Sequence, residues 1–452
     1  MDVLNTTALP QSTEHFHLLL LVYNIVMAFL IPYLALVAGS MVTSVVMDRR
    51  AVKKGDVHLG RLARRLAGIA LPDRSTFMFL AVLPSIVVIF LFIQMFQATP
   101  ATAPGFAALG AVLLIGGGAA GFAFKLTFTI DDVISLAGGD RSTPGNPDGP
   151  EAVTAFVAST RMSHRRAGSW AAILFLASAL FTLGASSIGL NPALWREVDG
   201  LFSFLLSGEI WIDLIGFLAA AAGMTGAALL FSRYVWHPEA VTSAGEDKAL
   251  KTFGIRLSSI GILAMPLAFL LGLMVIPTTS LSGVVYVLLA ASFAALGFAL
   301  HFVYAFVKSG KPVYLSLLVA MIVAALALNV TKNQVALHTA TRDHAALLAT
   351  AAARQTADLR LSLGVKVAQL SGEDIFNAKC SACHLFDQKK VGPPYKQVLP
   401  KYAGKKAALV AFVLNPAKVD PAYPSMPSQG LKPSEADSIA TYLLDKVGVN
   451  AR

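Results

Sequence analysis

The chain has 452 residues, 56% of them apolar and 14% charged, with a net charge of +10 and a mean hydropathy of +0.65. That balance excludes an ordinary soluble globule and puts much of the chain in lipid. The basic residues divide it further: 16 of the 36 lysines and arginines follow Val330, so an apolar front leads into a soluble back.

From the N-terminus, eight apolar runs are long enough to cross hydrocarbon, roughly Leu18–Val46, Phe77–Phe96, Phe106–Leu126, Gly168–Leu190, Trp211–Phe231, Ile255–Ile276, Leu281–Val307 and Pro312–Val330. The first reads as a membrane helix, not a cleavable signal peptide, because no basic residue precedes it and it is too long for one. Lysines and arginines set the orientation. Eight lie between the first and second runs, from Arg49 to Arg74, with five more in the third connection, four in the fifth and two in the seventh. The N-terminal segment and the even connections hold one, Arg196. The odd connections are therefore expected in the cytoplasm, and both termini on the outer face of a bacterial inner membrane. Gly138–Gly149 is expected to be a cytoplasmic loop; it lacks the Gly-Lys-Ser/Thr of a phosphate-binding motif.

Few groups within this front can carry chemistry. Besides His384 there are eight histidines, and by this topology only His17 and His301 lie at or inside the hydrocarbon. That distribution excludes a haem–copper oxidase core and a di-haem cytochrome b bundle, which need several histidines paired across helices. His301 reads as a neutral imidazole hydrogen-bonded to a neighbouring helix, although an ionisable group at that depth is also a site candidate. Met41, Met47, Met224, Met265 and Met274 read as packing residues.

Glu209 and Asp213 stand four apart at the outer start of the fifth run. Like charges at this spacing repel, so they need a counter-charge, a shared proton or water. The alternative is a solvated helix start, where acids suit the dipole. His17, Glu209 and Asp213 are the candidates for a proton-accepting site at the outer boundary, with His17 facing one carboxylate if the first and fifth helices meet. His15-Phe16-His17 entering an apolar helix is similar to the first helix of the cytochrome bd oxidase main subunit, but that family's Gly-Arg-Gln-Pro-Trp signature is absent.

Lys332 to Leu363 has no glycine or proline and is rich in alanine and leucine, so it reads as a helix continuing the eighth run or lying along the membrane surface, and residues 332–370 form a helical connector between a membrane domain (1–331) and a terminal domain (371–452). Whether it is a rigid stalk or a docked helix is open. The terminal domain contains Cys380-Ser381-Ala382-Cys383-His384. Two thiols three apart, followed by a histidine, suit covalent haem attachment: the thiols add across the vinyl groups and the imidazole reaches the iron from the same side. A redox dithiol is the alternative. A zinc tetrahedron is excluded because the chain has only these two cysteines. Met426 is the only methionine after Met321, and prolines on both sides of Tyr423-Pro424-Ser425-Met426-Pro427 hold it extended; it is the candidate sixth ligand, with a lysine or water as the alternative.

From Gly372 onward the chain resembles the class I cytochromes c. The quoted motifs carry the likeness, together with a helix from Gly372 to Ala378, the middle segment Lys405–Leu414 before Asn415-Pro416, and the closing Pro433–Val447. The resemblance implies one covalent haem c, metal ligands His384 and Met426, and a Gly392-Pro393-Pro394 loop in which a carbonyl holds the imidazole. It also implies a haem domain outside the cytoplasm, in agreement with the charge count. Lys389, Lys390, Lys396, Lys401, Lys405 and Lys406 crowd one stretch with no acid between them, either ordinary solvated surface or a docking face for acidic redox partners.

The expectation is an all-α chain in which a polytopic membrane bundle is fused to a class I cytochrome c domain. Its function would be electron transfer within a respiratory-type complex, from quinol or a partner subunit to an acceptor outside the membrane, with no role for nucleic acid. A b-type haem or bound quinone in the bundle is left open. The alternative functions are a self-contained membrane oxidase of a small substrate, by analogy with the architecture of membrane urate oxidases, and a bd-like quinol oxidase.

Overall fold

A computed structural model describes residues 11–137, 149–238, 244–274, 276–363 and 371–449, and its regular structure is helical, with no strand among the described residues. The expected loop at Gly138–Gly149, apart from Gly149, lies outside the described residues. The chain divides into two compact units with the boundary at Asp343–His344.

In the first unit the eight runs become eight helices long and apolar enough to cross a membrane: α1 Thr13–Lys54, α2 Arg74–Met95, α3 Ala103–Ala137, α4 Gly149–Leu190, α5 Gly208–Phe231, α6 Ala244–Leu271, α7 Gly283–Ser309 and α8 Val313–Ala340. Several outrun their apolar stretch. α1 ends on Lys53 and Lys54, where cations complement the C-terminal dipole, and α4 starts ahead of Arg161, Arg165 and Arg166. At the basic end a further helix, Val57–Ala70, is capped by the Asp56 carboxylate, which accepts from His58 N at 2.9 Å. It buries Leu62, Ala63 and Leu66 against the bundle.

Sequence neighbours pack in pairs, α3 with α4, α5 with α6 and α7 with α8. Lipid tails are as apolar as leucine, so close packing must hold such helices together, and glycine permits it. A Cβ built on Gly261 of α6 would lie 2.1 Å from Gly223 N of α5, so these two backbones touch. A Cβ on Gly39 of α1 would come 2.4 Å from Thr225 Oγ1 and 2.6 Å from Ala221 O. The first and fifth helices therefore do meet, well past their N-terminal ends. α8 passes Val330 and carries Lys332, which is only 1% exposed. The expected boundary at 331/332 thus falls inside a helix.

The helix breaks at Thr341, and α9 (Arg342–Ser362) follows. The second unit also holds α10 (Gly372–Ile375), α11 (Lys406–Leu414) and α12 (Pro433–Lys446) around a core of Ile375, Phe376, Leu409, Val413, Ile439 and Leu443. Ser371 caps α10 reciprocally: its hydroxyl accepts from Asp374 N at 3.1 Å, and the Asp374 carboxylate accepts from Ser371 N at 3.1 Å. A Cβ on Gly372 would sit 2.3 Å from Tyr442 Cβ, so α10 crosses α12 at a point only glycine allows.

Candidate functional site

Beyond α10 the helix widens over Phe376–Cys380, and Ser381 N bonds back five residues to Phe376 O at 2.8 Å. Cys380 O then accepts from Cys383 N at 3.1 Å and from His384 N at 2.9 Å. This turn brings Cys380, Cys383 and His384 to one cavity. The following loop folds back on it, with Val391 N and Gly392 N donating to Cys383 O at 3.2 and 2.8 Å.

That fold-back sets the imidazole. His384 Nδ1–H donates to Pro393 O at 3.0 Å, which fixes the tautomer and leaves Nε2 as the basic nitrogen. A Cβ on Gly392 would lie 2.3 Å from His384 Cε1, so any side chain there would displace the ring. Tyr395 stacks on the other side, with ring centroids 4.8 Å apart and planes 12° apart, and its hydroxyl bonds Cys380. Burial pushes both the Tyr395 phenol and the Cys380 thiol above their ordinary ranges. Met426 enters the same cavity from the Pro424–Pro427 segment, although 42 residues separate it from His384 in sequence. The residues fit a covalent haem c: two free thiols, an imidazole held through its far nitrogen, and a thioether in one cavity.

The lysine cluster is not a uniform set of free cations. Lys396 pairs with Asp387, and Lys406 with Asp437 at 2.9 Å. Lys390 Nζ donates to Ser381 O at 2.9 Å, while Lys389 and Lys401 lie over the rings of Tyr423 and Tyr402 at 4.8 and 5.0 Å. Lys405 stands at the N-cap of α11.

In the bundle the structure separates the three boundary candidates. His17 meets His338, Nε2 to Nε2 at 3.2 Å, instead of the expected carboxylate, because the N-terminal end of α1 lies beside α8. Glu209 accepts from Ser207 Oγ at 2.8 Å at the start of α5. Asp213 turns inward, accepts from Ser187 Oγ of α4 at 2.5 Å, and lines a cavity shared with Tyr23, Asn329, Lys332 and Asn333. His301 is exposed, and its ring contact is with the adjacent Phe302; no hydrogen bond to a neighbouring helix is seen among the described residues. Met41, Met47, Met224 and Met265 are buried in packing, while Met274 is exposed. Lys332, Asn329, Asn333 and Tyr23 were not among the residues singled out from sequence. The spacing of Asn329, Lys332 and Asn333, three and four apart on a helix, was the signal that could have found them.

Residues 367–443 match the family described as cytochrome c oxidase, cbb3-type, subunit III. Cytochrome c-551 of Pseudomonas denitrificans is 35% identical over 79 residues, covering 16% of this chain and 95% of that protein. Cytochrome c-551 of Azotobacter vinelandii is 32% identical over 78 residues, with the same coverages of 16% and 95%. Cytochrome c-551 of Pseudomonas aeruginosa is 34% identical over 73 residues, covering 70% of that protein. The membrane bundle lies outside these matches. A cytochrome c domain carries covalently bound haem c and transfers electrons.

Proposed function

We propose that this chain, which belongs through its C-terminal domain to the class I cytochromes c, is the membrane-integral electron-transfer subunit of a respiratory-type complex. It takes electrons from a donor at the membrane and passes them to an acceptor on the outer side. One observation carries the reading: Cys380, Cys383, His384 and Met426 share a cavity on a chain that also contributes eight apolar helices. Bound haem c supplies one-electron chemistry, and a histidine–methionine ligand pair favours a comparatively high potential. The chain's own residues do the rest. Pro393 O orients the imidazole, Tyr395 covers one of its faces, and Gly392 leaves it room. The bundle keeps the domain at the membrane, so a donor there meets it at a high effective concentration. The segregation of basic residues supports the outer side, as does the export that c-type haem attachment requires.

The test is purification of the intact assembly, followed by a haem count and a redox titration. One c-type haem per chain, co-purifying redox subunits, reduction by a membrane donor and oxidation by an added soluble acceptor are expected. A b-type haem in the same chain, or a haem c that no membrane donor reduces, would overturn the reading.

A further inference from the structure

The cavity in the bundle is lined by both polar and apolar residues. Asp213, Lys332, Asn329 and Asn333 are among the first; Met27, Ile31, Phe217 and Phe269 are among the second. Its polar residues come from the C-terminal part of α8 and the N-terminal part of α5, with Ser187 from the C-terminal part of α4. Those helix ends lie on one side of the bundle, opposite the arginine-rich connections, and α8 is the helix from which the chain continues toward the haem domain.

The polar groups are short of direct partners. Lys332 is 1% exposed, and the Asp213 carboxylate in the same cavity bears on its charge without a contact ion pair between them. The buried carbonyl oxygens of Asn329 and Asn333 accept no hydrogen bond from the described residues. Asp213 has a hydroxyl donor in Ser187, while Tyr23 is occupied in donating to Ser186 Oγ at 3.0 Å. A buried ammonium with no ion pair and unmet carbonyl acceptors on the same helix are unfavourable unless a further group satisfies them. The complement must offer hydroxyl donors to Asp213 and the asparagines and an oxygen acceptor to Lys332. It must also carry apolar substance to match the rest of the lining.

A tailed dihydroxyaromatic meets all of these demands. We propose that the cavity binds the head group of a quinol, with Asp213 accepting from a ring hydroxyl and Lys332 donating to a ring oxygen. This rests on the reading of the chain as an electron conduit and names the donor class for it.

The probe is decylubiquinol, measured anaerobically by equilibrium dialysis against the intact purified protein with its haem c already reduced by ascorbate, so that the probe stays reduced. Saturable binding is expected, weakened about tenfold or more by Asp213→Asn and by Lys332→Met, as loss of a hydrogen bond to a charged group implies. Haem c content and reduction by ascorbate should stay normal in both variants. Asn333→Ala removes an acceptor without touching either charge, and weaker binding by that variant supports the site even if the charge variants fold poorly. Absence of saturable binding to wild-type protein, or unchanged binding in all three variants, overturns the proposal. Haem c reduced by a partner subunit in a protein that binds no quinol sinks this site alone and leaves the electron-transfer reading intact. Site-dependent quinol binding beside a haem c that no membrane donor reduces supports the site and sinks that reading.

Discussion

The chain builds its two cavities by opposite means. The haem cavity is made by backbone: a turn at Cys380–His384, a loop whose amides return to Cys383 O, and a proline-flanked methionine. The membrane cavity is made by packing, with contributions from α1, α4, α5, α6 and α8, brought together by close approaches such as Gly39 on Thr225 and Gly261 on Gly223. A site of the first kind survives if its own few segments survive. A site of the second kind moves whenever any one of its helices moves.

The largest expected effect tests the first half of that contrast. In the double variant Cys380→Ala, Cys383→Ala, covalent haem should be lost completely, as read by haem staining after denaturing electrophoresis. The terminal domain should also lose the stabilisation that a tightly bound group confers on the folded state. The bundle is built without those thiols and should still insert in the membrane at normal level. Haem remaining covalently attached would show that the thiols are not its anchors.

Gly261→Leu tests the second half. A side chain there drives α6 off α5, since even a Cβ would lie 2.1 Å from Gly223 N. Overpacking typically costs about 1–3 kcal/mol, and backbone contact puts this case at the upper end. A lower melting temperature of the membrane unit is expected, with the visible spectrum of the haem domain unchanged. A spectrum that shifts along with the bundle would break the independence claimed for the two sites.

Met426→Ala should be milder. Haem stays attached through Cys380 and Cys383, but the sulfur-to-iron absorption band at the red end disappears and the potential falls. Each tenfold loss in the preference for ferrous iron lowers it by about 60 mV. An unchanged band would assign the sixth ligand elsewhere.

The same contrast explains what could be read from sequence. The cysteine pair and His384 were legible because their spacing is itself the chemistry; the loop carbonyl came only from the resemblance to the class I cytochromes c, and Met426 was a candidate because no other methionine follows Met321. The eight helices were legible because a bilayer demands long apolar runs. Lys332 was not: a helix continuing past Val330 could be expected, but not that protein covers one face of it and buries the lysine. The pairing of Asp213 with Ser187, and of His17 with His338, depends on which helices are neighbours across 26 and 321 residues of sequence. Nothing in the local pattern specifies that. Asp213 was found and its partners were not.

The smallest expected effect concerns the lysines of the haem domain, where paired and unpaired charges can be told apart. An ion pair has almost no net field beyond its own length, so Lys396 with Asp387 adds little to the steering of an acidic acceptor, whereas Lys389 lies over the Tyr423 ring and keeps its whole charge. Lys396→Gln alone would expose Asp387 and mislead. The informative comparison is Lys389→Gln against the double variant Lys396→Gln, Asp387→Asn, which removes the pair at constant net charge. With an acidic acceptor, the first should slow second-order electron transfer about two- to fivefold at low ionic strength, and the second should leave it unchanged. At 1 M salt the Debye length shrinks to about 3 Å, and the difference should vanish. Equal rates for both variants at low salt would mean that the acceptor docks elsewhere and that these lysines are ordinary solvated surface.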